Sequence, residues 1–237
     1  MSMGQATKIY AKDNEKLALT VTKGHFSSDR FHVNYYIDMT TLKMRQANAE
    51  AVAKAMVKKY VNRIELSKSF GISEELLQQS KAFATKRTID TIICMDGCEL
   101  VGGFMANALS GSAMHSMNSK NDICVITPEF NSNGQIIFRD NIQPMVWEKR
   151  VLLLVASATT GKTINRSLEC IKYYGGNVVG IAALFSAIRE KQGIPVDAIF
   201  TQEDIPNYRT YSFEECPDCK EKRRIDAIVN SYGYSKL

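Results

Sequence analysis

Five consecutive apolar residues, Val151, Leu152, Leu153, Leu154 and Val155, run through Ala156, Ser157 and Ala158 into Thr159, Thr160, Gly161, Lys162 and Thr163. An apolar run with no polar alternation suits a strand buried on both faces, as in the middle of a parallel sheet. The loop that follows is short, small and hydroxylated. It opens a helix predicted from about Thr163 to Tyr174 and stopped by Gly175 and Gly176. Backbone N–H groups at such a helix start, with the positive end of its dipole, form an anion site. The threonine hydroxyls add donors, Gly161 allows close backbone approach, and Lys162 adds charge. A bare turn needs one threonine as a cap. Three threonines, a glycine and a lysine in five residues exceed that need.

The rest of the second half repeats the same alternation. Residues 91–94 read as a buried strand, Met95, Asp96 and Gly97 as a turn, and residues 99–109 as a helix. Strands are expected at 122–127 and 135–138, around a turn at Asn131, Ser132, Asn133 and Gly134. Further buried strands fall at 178–185 and 198–200. Earlier, Gly24 and residues 27–30 read as a turn before a strand at 33–37. Val52, Met56, Tyr60 and Ile64 then repeat every four residues on a helix over 49–64, and a further helix starts at Ser73. The pattern predicts an α/β fold, a mostly parallel sheet flanked by helices, with ligands at the carboxyl ends of its strands.

Composition decides little beyond this. The net charge of +5 is spread along the chain and fits a small polyanion as well as nucleic acid. No aromatic-basic interleaving or helix-turn-helix appears, so nucleic acid is not an expected partner. No apolar run reaches the length of a membrane span, the amino terminus lacks a signal-peptide core, and several cysteines sit in apolar segments, so a cytoplasmic location is expected.

Four landmarks in order resemble the type I phosphoribosyltransferase family, and orotate phosphoribosyltransferases in particular. They are Gly24-His25-Phe26 leading to Tyr35-Tyr36-Ile37-Asp38; Met95-Asp96-Gly97-Cys98-Glu99-Leu100; residues 151–154 with Thr159-Thr160-Gly161-Lys162-Thr163; and Cys216-Pro217-Asp218-Cys219-Lys220. The resemblance implies a single domain over residues 1–237, with a small hood or base-side segment in residues 1–65 and a tail at 210–237. It implies transfer of 5-phosphoribose from phosphoribosyl pyrophosphate to orotate, with magnesium and a homodimer. Ala158, Thr159, Thr160, Gly161, Lys162 and Thr163 would hold the 5′-phosphate. Asp96, Gly97, Cys98 and Glu99 would face pyrophosphate or magnesium, and Ser28, Arg30 and Tyr36 the base. Tyr35 and Tyr36 alternate on their strand, so one is expected toward a ligand and the other toward the core.

Two departures bear on activity. Val155 and Ala156 stand where the family carries an acidic pair, and residues 125–134 contain no lysine where the family has a basic mobile loop; Lys120 is the nearest. Asp96, Glu99, Asp122 and Glu129 are the carboxylates that could substitute. A binding paralogue acting as a sensor is therefore the alternative. Gly161-Lys162-Thr163 also matches the end of a nucleotide-hydrolase P-loop, whose first glycine is replaced by Ala156. Cys216 and Cys219 make half a zinc site, with Cys94 and Cys98 as the candidate other half. His25, His32 and His115 show no metal-ligand spacing, and His25 alone is expected near a base site.

Overall fold

A computed structural model describes residues 4–29, 31–69, 89–111, 122–230 and 232–237. Its strands in chain order are β1 (Ala6–Ala11), β2 (Asn14–Ser27), β3 (His32–Asp38), β4 (Thr91–Cys94), β5 (Cys124–Ile126), β6 (Glu129–Phe130) and β7 (Ile136–Ile137). They continue as β8 (Arg150–Ala158), β9 (Asn177–Ser186), β10 (Glu190–Lys191), β11 (Ile194–Thr201), β12 (Thr210–Tyr211), β13 (Ala227–Asn230) and β14 (Gly233–Lys236).

The central sheet has the order β10-β11-β9-β8-β4-β5. All its neighbours are parallel except β10, which pairs antiparallel with β11. The chain lays β5 on one side of β4, then crosses back to place β8 on the other side. That reversal leaves a crevice beyond the carboxyl ends of β4 and β8, where open α/β sheets bind ligands.

β8 shows why its sequence is uniformly apolar. Leu152, Leu154 and Ala156 pack in one core with Val52 and Met56 of the helix Gln46–Ser69 and with Val101 and Met105 of the helix Glu99–Gly111. Val151, Leu153 and Val155 face the opposite core with Ile164, Leu168 and Ile171 of the helix Lys162–Tyr173. Each fully buried leucine contributes about 1.5–3 kcal/mol relative to exposure, so both faces favour the same strand. Close helix–sheet approach also depends on Gly102, because a Cβ there would run into the Cys94 sulfur.

The second sheet, of order β12-β3-β2-β13-β14 with β1 added on β2, covers the crevice. β2 and β3 form an antiparallel hairpin, and β13 lies parallel to β2 through Ala227–Phe26 and Ile228–Ser27. Residues 210–237, read from sequence as a tail, thus supply three strands to the sheet begun at the amino terminus. Gly24 does not turn the chain. It lies within β2 at a register irregularity, and the reversal comes at Ser28, whose N–H donates to the Phe31 carbonyl at 2.9 Å.

The helices expected at 49–64 and 99–109 are present with longer ends, as Gln46–Ser69 and Glu99–Gly111. The helix expected from Ser73 lies outside the described residues. β6 and β7 close around Asn131, whose side-chain oxygen accepts the N–H groups of Asn133 and Gln135.

Candidate functional site

A pocket of about 360 Å³ opens between the two sheets. Its floor is the end of β8 with the loop and first helical turn that follow, including all six residues Ala158, Thr159, Thr160, Gly161, Lys162 and Thr163. Gly161 is the N-cap of the helix Lys162–Tyr173 and has φ 69°, a left-handed conformation that favours glycine. A Cβ there would also stand 2.9 Å from Ile188 Cδ1 and 3.3 Å from Lys191 Cδ. The loop is anchored from below, where Ala187 N–H donates to the Ala158 carbonyl at 2.8 Å. The first-turn amides have no intrahelical acceptors and open toward the pocket with the positive dipole end.

Beyond β4, the turn at Asp96 and Gly97 forms the neighbouring rim, and both residues have positive φ, 58° and 75°. Asp96 is the one member of residues 96–99 that lines the pocket. Cys98 is packed in the core beside Val101 and Met105, with burial pushing its thiol well above the ordinary range. Glu99 is exposed and accepts a hydrogen bond from Thr127 Oγ1 at 3.1 Å. Burial raises the Asp96 carboxyl, against the opposing effects of Lys43 and of the Ala156 N–H, which it accepts. The Asp96 carboxylate therefore rests on the backbone of the position where the acidic pair was expected. Val155 itself is fully buried on the helix side, and Ala156 is the pocket-facing neighbour.

Sequence reasoning missed Lys43. It follows β3 in the short helix Thr40–Met44, is 3% exposed, and donates from Nζ to the Asp96 carbonyl at 2.6 Å. A lone lysine between Leu42 and Met44 gives no periodic signal. Its place comes from the helix after β3 folding over the β4 turn, which brings a basic side chain to that rim, whereas the lysines expected from the resemblance belong to residues 125–134. Lys120 and Arg30 lie outside the described residues.

The wall on the side of the second sheet carries Ser28, Asp29, Tyr35, Tyr36 and Asn230. Both tyrosines line the pocket, and Tyr36 also belongs to the buried core, as expected of at least one of the pair, while Tyr35 is half-buried. Tyr36 packs on Tyr234, and burial, then Asp38 and Tyr234, push its phenol up to about 12, so it stays a hydrogen-bond donor. Ser28 Oγ donates to the Phe31 carbonyl and accepts Phe31 N–H, which shapes the turn. Asp29 and Asp96 are the carboxylates among the lining residues. With Val155 and Ala156 apolar and Lys43 beside Asp96, this donor set fits a resident magnesium ion poorly, since that ion takes several oxygen ligands.

Behind the wall, His25, His32, Cys216 and Cys219 converge, with candidate ligand atoms all within 4.8 Å of one another. This corrects two expectations. His25, expected near a base site, lies in this grouping and not among the pocket-lining residues, and Cys94 and Cys98 do not belong to it; they are buried in the core of the central sheet. Two histidines from one hairpin and a distant Cys-x-x-Cys have no common spacing in sequence. His115 lies outside the described residues.

No helix among the described residues is long and apolar enough to cross a membrane. No family model matches the chain. Over 75 residues it is 32% identical to an orotate phosphoribosyltransferase of Caldanaerobacter subterraneus subsp. tengcongensis. That match covers 31% of this chain and 37% of the relative's length. Among solved structures, Leishmania donovani UMP synthase aligns with 74% of this chain and 32% of its own, at 17% identity and a TM-score of 0.45. A phosphoribosyltransferase from Corynebacterium diphtheriae aligns with 77% of this chain and 90% of its own, at 16% identity and a TM-score of 0.44. The orotate phosphoribosyltransferase of Aeropyrum pernix aligns with 73% and 81%, at 17% identity and a TM-score of 0.43. In its motifs the chain resembles the type I phosphoribosyltransferases, and its matched segment is similar to an orotate phosphoribosyltransferase.

Proposed function

We propose that the pocket binds 5-phosphoribosyl pyrophosphate and transfers its phosphoribosyl group to a nucleobase, with orotate the leading acceptor. The observation that carries this reading is the meeting, at one strand-order reversal, of an amide-and-hydroxyl cradle with a buried lysine and a carboxylate. The cradle at residues 158–163 suits the 5′-phosphate. Lys43 suits the pyrophosphate at the neighbouring rim, and the hood side chains Ser28 and Tyr36 suit the base. In the reaction the C1–oxygen bond to pyrophosphate breaks, the oxygen keeping the electron pair, and a C1–nitrogen bond to the deprotonated base forms.

The chain's part is positioning and electrostatics around a cationic ribosyl centre. Lys43 would balance charge on the departing pyrophosphate, and Asp96 would supply the negative partner that Val155 and Ala156 lack. Magnesium enters this reading as the counter-ion of the pyrophosphate substrate. A homodimer belongs to the same proposal and is tested by light scattering of the purified chain.

A second reading, a sensor that binds the same ligand without turnover, is favoured by one observation. Burial opposes ionisation of Asp96, the carboxylate this reading assigns to the ribosyl centre. Thermal shift with phosphoribosyl pyrophosphate, ribose 5-phosphate and ATP tests the pocket first. Stabilisation by the first two supports both readings, and stabilisation by ATP alone overturns them in favour of a nucleotide hydrolase. Orotate consumption followed by absorbance, with magnesium present, then separates transferase from sensor: binding without turnover selects the sensor.

A further inference from the structure

We propose that His25, His32, Cys216 and Cys219 form a structural zinc site that clips the carboxy-terminal segment to the β2–β3 hairpin. This does not depend on the reading of the pocket. Three of the ligand-atom distances match a tetrahedral shell, within a group whose candidate ligand atoms all lie within 4.8 Å of one another. Cys216 Sγ and Cys219 Sγ lie 3.5 and 3.6 Å from His25 Nε2, and Cys219 Sγ lies 3.3 Å from His32 Nδ1. With Zn–S bonds of about 2.3 Å and Zn–N bonds of about 2.0–2.1 Å, a tetrahedron sets its ligand atoms about 3.3–3.8 Å apart. The two imidazole nitrogens are 2.9 Å apart, so binding an ion would widen that pair by about 0.4 Å.

The surroundings orient the ligands. His25 Nδ1 lies 3.2 Å from the Arg224 carbonyl, an acceptor that holds the proton on Nδ1 and turns the Nε2 lone pair toward the cluster. The His25 backbone N–H donates to Asp226 Oδ2 at 2.8 Å, fixing the strand beneath the ring. Phe213 stacks edge-on against His32, with ring centroids 5.0 Å apart. His25, His32 and Cys216 are 1–5% exposed, so the grouping is largely enclosed. Two cysteine sulfurs, deprotonated on binding, and two imidazoles gathered in one place select zinc over the hard oxygen-seeking cations. Four protein ligands leave no open coordination position, which marks a structural site rather than a catalytic one.

The ligands come from chain positions 191 residues apart, so the ion would close a very long loop. Its effect reaches the pocket, because Phe31 and Val33 flank His32 in sequence and both line the wall. β13, which follows the cysteines and supplies Val229 and Asn230, is held against β2 at the same place.

The test is metal analysis of the full, tag-free chain purified without chelator. About one zinc per chain is expected, and replacement by cobalt(II) should give the intense visible bands of a tetrahedral thiolate site. Cys216→Ser and His32→Asn should each weaken zinc binding by more than about 100-fold, beyond the loss from a change outside the ligand shell. Cys124→Ser should leave it unchanged. If those variants do not fold, the cobalt spectrum of the unaltered chain decides alone. Absence of stoichiometric zinc with a Cys216–Cys219 disulfide, or weak octahedral cobalt bands, overturns the proposal.

Discussion

Replacing Lys43 with methionine separates the roles assigned to the two rims of the pocket. Lys43 is buried, and its ammonium sits at the Asp96–Gly97 turn, 3.6 Å from where a Gly97 side chain would begin. A charge-assisted hydrogen bond to a pyrophosphate oxygen there is worth about 1.5–3 kcal/mol, so Lys43→Met should weaken pyrophosphate and phosphoribosyl pyrophosphate about 10- to 150-fold. Ribose 5-phosphate, held by residues 158–163, should change by less than about 3-fold. Titration calorimetry with the three ligands reads this directly.

Stability should move little at pH 5, within about 1 kcal/mol, because methionine fills similar volume and removes a desolvated ammonium. The pH dependence has a definite sign. Lys43 opposes the rise that burial imposes on the Asp96 carboxyl, so its loss raises that carboxyl further. A carboxyl with a folded-state pKa above its unfolded value adds stability at low pH and loses it as pH rises through the folded value. Lys43→Met should therefore be more destabilised at pH 8 than at pH 5. An equal loss for ribose 5-phosphate and pyrophosphate, or no loss for either, would refute the division of the pocket.

Gly161→Ala should cost about 1.5–3 kcal/mol in urea melts, from the left-handed backbone and from displaced Ile188 and Lys191 side-chain ends, and should weaken ribose 5-phosphate more than pyrophosphate. At the opposite end of the sheet, Arg150 bonds Asp90 from Nε at 2.8 Å, Nη2 at 2.6 Å and its backbone N–H at 2.9 Å. The Arg150 hydrogen bond holds the Asp90 carboxyl below its ordinary 3.8, with burial opposing. That stability is present above the ordinary value and is lost as pH falls through the lowered one. Asp90→Asn should thus cost about 1 kcal/mol at pH 7, after allowing for a partly exposed Arg150, and progressively less in acid melts below the ordinary value. Gly102→Ala should cost about 1–3 kcal/mol by overpacking against Cys94, and Cys94→Ala in the same chain should recover part of that loss; strictly additive melts would show that the two do not meet.

The sequence by itself determined the central sheet. The unbroken apolar run at 151–155 needs two covered faces, and the hydroxylated loop after it needs a helix start, so strand, loop and helix were legible from neighbours in the chain. Only the tertiary structure decided which distant groups meet that loop. Lys43 reaches Asp96 because the short helix after β3 folds over the β4 turn. His25 and His32 reach Cys216 and Cys219 because β13 pairs with β2 across almost the whole length of the chain. Local order leaves a periodic trace because each residue answers to those three or four places away. A contact between the two ends of a chain leaves no such trace, since its spacing is set by the path of everything between.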